Sequence, residues 1–248
     1  MDLYARINLL DGRAVRLPKG DVRDAIALDA DPVGRASSWV EQGADRIHIV
    51  DLDAAAYGDY GNRPLIERII SNVEVPVQVA GGIRSPGEVE RVLGYGANRV
   101  IIGTAAVEDQ VLVWELCRAH AGRIVVSLDV RPDEEIAIRG WLVDSGVFLE
   151  QALIDLSSAG VAAFLVGEAG RDALTSPSNY GILRRALSLA DEPIIAAGGA
   201  MDMSDLRSLT ALEEKGRRLD GIIVGREVTE GRFTMDEACQ VLRSSDGD

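Results

Sequence analysis

Cys117 and Cys239 are the only thiols in this chain of 248 residues, and they form no Cys-x-x-Cys pair. A disulfide scaffold is thereby excluded, and two histidines without a cluster leave a structural zinc too few ligands. Both cysteines fall in helix-like segments, VWELCRAH and DEACQVL, so two reduced thiols in a cytoplasmic protein are expected. No apolar run approaches the roughly 18 residues needed to span a bilayer, and MDLYARINLL has no basic region ahead of its apolar stretch. That reads as a soluble chain with neither membrane span nor secretory signal. Basic residues are also in deficit: 26 Lys and Arg against 40 Asp and Glu give a net charge of −14. Scattered arginines in such a chain make no nucleic-acid patch. A small anionic ligand stays possible, because backbone amides and a local arginine can hold one. There is no GxGxxG, no P-loop, no Ser-His-Asp arrangement and no metal-ligand spacing.

What the chain does contain is alternation. Eight apolar runs recur along nearly its whole length: ARINLL, RIHIVDLD, VPVQVAGG, RVIIGTA, RIVVSLDV, AAFLVGE, EPIIAAGG and LDGIIVGR. Continuous Val- and Ile-rich runs suit parallel strands buried on both faces. Between them lie stretches such as DPVGRASSWVEQG, SPGEVERVLGYG, VLVWELCRAHAG and VFLEQALIDLSSAG, apolar at helical spacing and mostly closing on glycine. Strand-helix alternation without a linker predicts a single α/β domain over 1–248, a (β/α)8 TIM barrel. A doubly wound sheet is the alternative, but it would carry fewer strands and a glycine fingerprint in its first turn.

The chain also repeats itself. VPVQVAGGIRSPGEVERVLGYGANRVIIGTA resembles EPIIAAGGAMDMSDLRSLTALEEKGRRLDGIIVGRE, about half a chain apart. More loosely, RINLLDGRAVR corresponds to VSLDVRPDEEIAIR, which sets Asn8 against Asp129 and Arg16 against Arg139. Half-barrels of roughly 1–120 and 121–243 follow. Gly81 and Gly82 with Gly103 and Thr104 then match Gly198 and Gly199 with Gly225 and Arg226. Glycine at a strand's end lets backbone approach a ligand, and the next helix start offers unpaired N–H groups. Two such pairs on opposite sides of one mouth predict a ligand with two phosphates.

Barrel chemistry sits at the C-terminal strand ends. The polar candidates there are Asn8, Asp51, Asp53, Asp129, Glu168 and Asp172. Asp129 follows a solid apolar run, so it should face the mouth desolvated, with a raised pKa suited to proton exchange at a sugar carbon. Asp172, in GEAGRDALTS after the sixth strand, would be its partner. Asp51 and Asp53 flank Leu52; one of them is expected to touch ligand while the other braces a loop, and Asp51 is taken as the substrate contact. In IRGWLVDSG, Trp141 could stack on a planar ring while Arg139 pairs with an anion. His48 precedes a strand's apolar run and is expected in the core. His120 ends a helix and needs no function.

With those residues on view, the chain resembles the HisA-type phosphoribosyl isomerases of histidine biosynthesis. LLDGRAVRL, HIVDLDAA, QVAGGIRS, RVIIGTAAVED, RGW, AAGG, GIIVGRE and EGRFTMDEA stand in the family's order, and RGW is closer to the isomerase than to the related cyclase. The resemblance implies an Amadori rearrangement of a bis-phosphorylated aminoimidazole carboxamide ribotide. It needs no metal or organic cofactor and no partner beyond the sugar phosphate, and a monomer is expected. It implies that Asp129 is the fifth-strand aspartate and Asp172 the sixth-loop acid. Gly82, Gly103, Thr104, Gly199 and Gly225 correspond to phosphate positions, and Arg16, Arg139 and Trp141 to substrate contacts. Three positions depart. Asn8 stands where the family's first-strand base is aspartate, Gly167 replaces a threonine, and the sixth-loop Asp-Gly-Thr reads Asp172-Ala173-Leu174. An asparagine cannot take a proton as a carboxylate does. Two alternatives therefore stay open: a diverged relative that binds a sugar phosphate with weak or no catalysis, and an isomerase for a different aminosugar phosphate.

Overall fold

In β1 (Asp2–Leu10) the odd positions Leu3, Ala5, Ile7 and Leu9 are buried in the large apolar core. The even positions point the other way: Tyr4 joins a small inner cluster, and Arg6 and Asn8 line a cavity. This period of two is what a strand with both faces covered requires. The computed structural model describes residues 1–17, 22–170 and 180–245.

Seven further strands follow: β2 (Arg46–Asp51), β3 (Val77–Ala80), β4 (Arg99–Ile102), β5 (Ile124–Val130), β6 (Ala163–Glu168), β7 (Ile194–Ala196) and β8 (Gly221–Val224). Each pairs in parallel with the next, and β8 pairs back to β1, so the sheet closes without an edge. Eight helices cover it: α1 (Pro32–Glu41), α2 (Arg63–Ser71), α3 (Pro86–Gly94), α4 (Gln110–Ala119), α5 (Leu149–Ser157), α6 (Tyr180–Leu189), α7 (Met203–Thr210) and α8 (Met235–Ser245). The fold is the (β/α)8 barrel that the alternation predicted.

Local chemistry sets the helix starts. Asp31, Ser85, Asp109 and Asp202 accept N–H groups of the first turns of α1, α3, α4 and α7, which satisfies donors a helix cannot pair internally. The inner layer consists of Tyr4, Ile101, Val125, Ala163, Leu165, Ile195 and Ile223. Layered side chains of this kind make the barrel a packed core rather than a pore. Cys117 and Cys239 are buried free thiols whose pKa burial raises to about 11, so both are poor nucleophiles.

Two strands continue past the barrel rim in matching fashion. β1 turns back into Arg13–Arg16, which pairs with Ile26–Asp29; β5 turns back into Glu135–Ile138, which pairs with Val143–Phe148. The predicted helix VFLEQALIDLSSAG therefore starts later than expected. Phe148 is held opposite Glu135 in the hairpin, and α5 begins at Leu149.

Candidate active site

The strands' C-terminal ends surround a cavity of about 430 Å³. Thirteen of the fifteen expected site residues line it: Asn8, Arg16, Gly81, Gly82, Gly103, Thr104, Asp129, Arg139, Trp141, Gly198, Gly199, Gly225 and Arg226. Asp172 lies outside the described residues.

Asp51 is placed differently from its expected role as a substrate contact. Its side chain is fully buried and does not line the cavity. Oδ1 accepts from Ala54 N–H at 3.2 Å, capping the short helix Leu52–Tyr57, and from Asn62 Nδ2 at 2.9 Å. Oδ2 lies 3.5 Å from the buried Arg63 guanidinium. Burial pushes the Asp51 carboxyl above its ordinary value; the Asn62 and Ala54 hydrogen bonds and the Arg63 charge pull it back. Asp53 is a brace as well, accepting from Asp11 N–H at 2.8 Å and Asn62 Nδ2 at 2.6 Å.

Asp129 faces the lumen from the end of β5, opposite Gly167 of β6. Burial raises its pKa, while a hydrogen bond from the Trp141 side chain and the charge of Arg6 lower it. Trp141, expected to stack on a planar ring of the ligand, thus also braces the Asp129 carboxylate. Its backbone explains the placement: Arg139, Gly140 and Trp141 have φ of 54°, 68° and 70°. Left-handed residues with side chains cost on the order of 1 kcal/mol each, a strain that tertiary contacts must hold. One such contact is the Arg139 N–H donating to Thr104 Oγ1 at 2.9 Å, another the Arg139–Glu108 ion pair at 2.8 Å.

β1 contributes two polar groups to the cavity. Among the described residues, the Asn8 carboxamide and the Arg6 guanidinium have no side-chain hydrogen-bond or ion-pair partner. Next to β1, His48 is buried and its pKa falls to about 3, through burial first and the Arg6 charge second. Gln78 Nε2 lies 2.9 Å from His48 Nδ1, a hydrogen bond between two buried side chains. This matches the expected core role.

The glycines differ in what they demand. At Gly81, with φ of 99°, an added Cβ would stand on the Asp51 carbonyl oxygen, so packing alone requires glycine there. Gly225 leaves room for Arg6: an added Cβ would be 3.0 Å from Arg6 Cβ. The Gly225 amide, expected to be open to an anion, instead donates to Glu227 Oε2 at 3.0 Å. Arg16 and Arg226 both reach Glu230 Oε1, at 2.6 and 3.1 Å.

Among the described residues, five arginines (Arg6, Arg16, Arg84, Arg139 and Arg226) line the cavity against three carboxylates, Asp129, Glu168 and Glu227. The basic excess at the mouth inverts the balance of the whole chain. Sequence reasoning missed Arg6, Arg84 and Glu227. Arg6 was legible as the even position two residues before Asn8, whereas Glu227 lies past a strand end where alternation carries no signal. Among the described residues no group of three or more His, Cys, Asp or Glu could hold a metal, and no helix is long and apolar enough to cross a membrane.

Fold and cavity together define a (β/α)8 barrel with a polar, arginine-rich mouth. Residues 2–234 match the family described as histidine biosynthesis protein, and the chain belongs to that family. It is 39% identical over 242 residues to a 1-(5-phosphoribosyl)-5-((5-phosphoribosylamino)methylideneamino) imidazole-4-carboxamide isomerase of Prochlorococcus marinus (strain AS9601), covering 98% of this chain and 94% of that protein. Proteins of the same name from Gloeothece citriformis (strain PCC 7424), 41% identical over 98% of this chain and 93% of theirs, and from Parasynechococcus marenigrum (strain WH8102), 40% identical over 98% and 94%, are equally similar.

Proposed function

We propose that this protein is a HisA-like phosphoribosyl isomerase, performing an Amadori rearrangement of a bis-phosphorylated aminoimidazole carboxamide ribotide. The observation that carries this reading is a partly buried carboxylate, Asp129, on the floor of a cavity ringed by five arginines in a chain of net charge −14. Full-length similarity to isomerases named for that ribotide supports it.

The reaction relocates two hydrogens, from C2 to C1 and from the C2 hydroxyl to the ring oxygen, without net oxidation. An acid protonates the ribose ring oxygen, the C1–O bond breaks, and C1 becomes an iminium carbon. A base then removes the C2 proton to give an enaminol. A proton added at C1 and the O–H proton lost from C2 leave the aminoketose. Asp129 is the base in this reading, its carboxylate oriented by Trp141, with pKa raised toward the working range. Asp172 is assigned the acid role. Asn8 positions substrate by hydrogen bonds but takes no proton. Thr104, already accepting from Arg139, has its hydroxyl proton free for a phosphate oxygen. The chemistry calls on no metal or organic cofactor, and the reading includes a cytoplasmic monomer.

Turnover of the ribotide tests the assignment. Wild type should isomerise it slowly, Asn8→Asp should raise kcat on the order of 10- to 1,000-fold by restoring a carboxylate, and Asp129→Ala should abolish it. Calorimetric binding of the ribotide with no turnover in wild type or Asn8→Asp would overturn the isomerase reading.

A further inference from the structure

The two strand-end pairs are unequal. At the β3–β4 end, Arg84 lines the cavity; its guanidinium donates to the Ala55 carbonyl at 2.9 Å and makes no ion pair among the described residues. At the β7–β8 end stands an acid. Glu227 is 1% exposed and lines the cavity; Oε2 accepts the Gly225 N–H at 3.0 Å, and Oε1 is buried with no hydrogen-bond partner. Among the described residues no arginine forms an ion pair with Glu227: Arg16 and Arg226 pair with Glu230, and the Arg6 Nε lies 3.5 Å from a Cβ built on Gly225. A buried carboxylate with an orphan oxygen is costly, and such a group persists where something other than packing retains it.

We propose that Glu227 is a specificity-determining residue: it occupies the β7–β8 phosphate subsite with the chain's own carboxylate, so a ligand phosphate binds there only after Glu227 swings out. One amide N–H serves one anion at a time. A dianion beside a carboxylate at hydrogen-bond distance is repelled strongly in a partly desolvated site. The β3–β4 end has no such competitor and anchors first. The proposal rests on the reading of the mouth as a two-phosphate site.

Inorganic phosphate titrated into the full chain, followed by calorimetry and 31P NMR, tests this without turnover. Wild type should bind one phosphate well and a second at least on the order of tenfold more weakly. Glu227→Gln keeps an acceptor for the Gly225 N–H and removes the charge; Glu227→Ala frees the amide as well. Second-site affinity should rise on the order of tenfold in Glu227→Gln and further in Glu227→Ala. First-site affinity should not change, which also reports that the variants are folded. Two equal phosphates in wild type, or second-site affinity unmoved in both variants, would overturn the role of Glu227 and leave the two-phosphate mouth standing. No phosphate at either end of the wild type would remove both.

Discussion

Asp129 is held between opposing influences. Burial pushes its carboxyl up from 3.8, and the Trp141 hydrogen bond and the Arg6 charge push it back down. Removing Arg6 therefore raises the midpoint further: in Arg6→Met, the Asp129 carboxyl followed by 13C NMR should titrate higher than in wild type. An unchanged midpoint would mean that Arg6 does not act on Asp129. The same balance has a consequence for stability. With a folded-state pKa above the unfolded one, the folded chain holds the proton more tightly and loses stability as pH rises from about 3.8 through the raised value. Asp129→Asn should thus be inactive yet more resistant to urea at neutral pH, with the advantage closing below pH 4. His48 works the opposite way. Its pKa falls from 6.5 to about 3, so stability is full above 6.5 and lost toward pH 3, at roughly 1.4 kcal/mol per pH unit. His48→Gln should flatten that part of a urea-midpoint profile.

Between β2, β3 and α2 the support is a buried polar cluster. Arg63, 2% exposed, lies 3.5 Å from Asp51 and 3.3 Å from Glu88, donates to the Gly81 carbonyl at 3.2 Å and stacks on Tyr60 at 5.1 Å. Asn62 extends the cluster to the turn after β1 by accepting the Gly12 N–H at 3.0 Å. Gly81 and Gly82 are therefore located by a charge cluster one layer behind them. Arg63→Met should cost about 3–5 kcal/mol in chemical denaturation, because it strands the buried Asp51 carboxylate without its cation, while Glu88 keeps Arg91 at 2.7 Å. A loss under 1 kcal/mol would show that the cluster contributes little. None of this was legible from HIVDLDAA. Alternation marks the strand and its end, but whether a carboxylate there meets ligand or an arginine from α2 depends on a contact between elements. Asp51 was therefore read as a substrate contact when it is a brace. The hairpin after β5 was missed for a related reason, since Phe148 satisfies a helical apolar pattern and is claimed by pairing with Glu135.

Across the molecule, the repeated strand-glycine-helix units made the closed barrel and its mouth readable, because both follow from local patterning repeated eight times. Ten of the thirteen expected cavity-lining residues were recoverable from strand ends, and Arg16, Arg139 and Trp141 from the repeat and the loop after the fifth strand. What stayed hidden were groups whose role depends on a particular side-chain contact rather than on alternation. Arg6 stands beside His48 on the adjacent strand and its charge also acts on Asp129, and Glu227 folds back onto the amide of Gly225, two residues before it. Both change the charge seen by a ligand in the middle and at one end of the cavity.

The account turns on a proton leaving the second carbon of a sugar held above Asp129. Ribotide deuterated at that carbon, incubated with the protein and followed by NMR, measures the step directly. Wild type should release or transfer the deuterium, Asn8→Asp should do so faster, and Asp129→Asn should leave it in place. Deuterium retained in wild type with ligand bound, or lost at an equal rate in Asp129→Asn, would contradict the account.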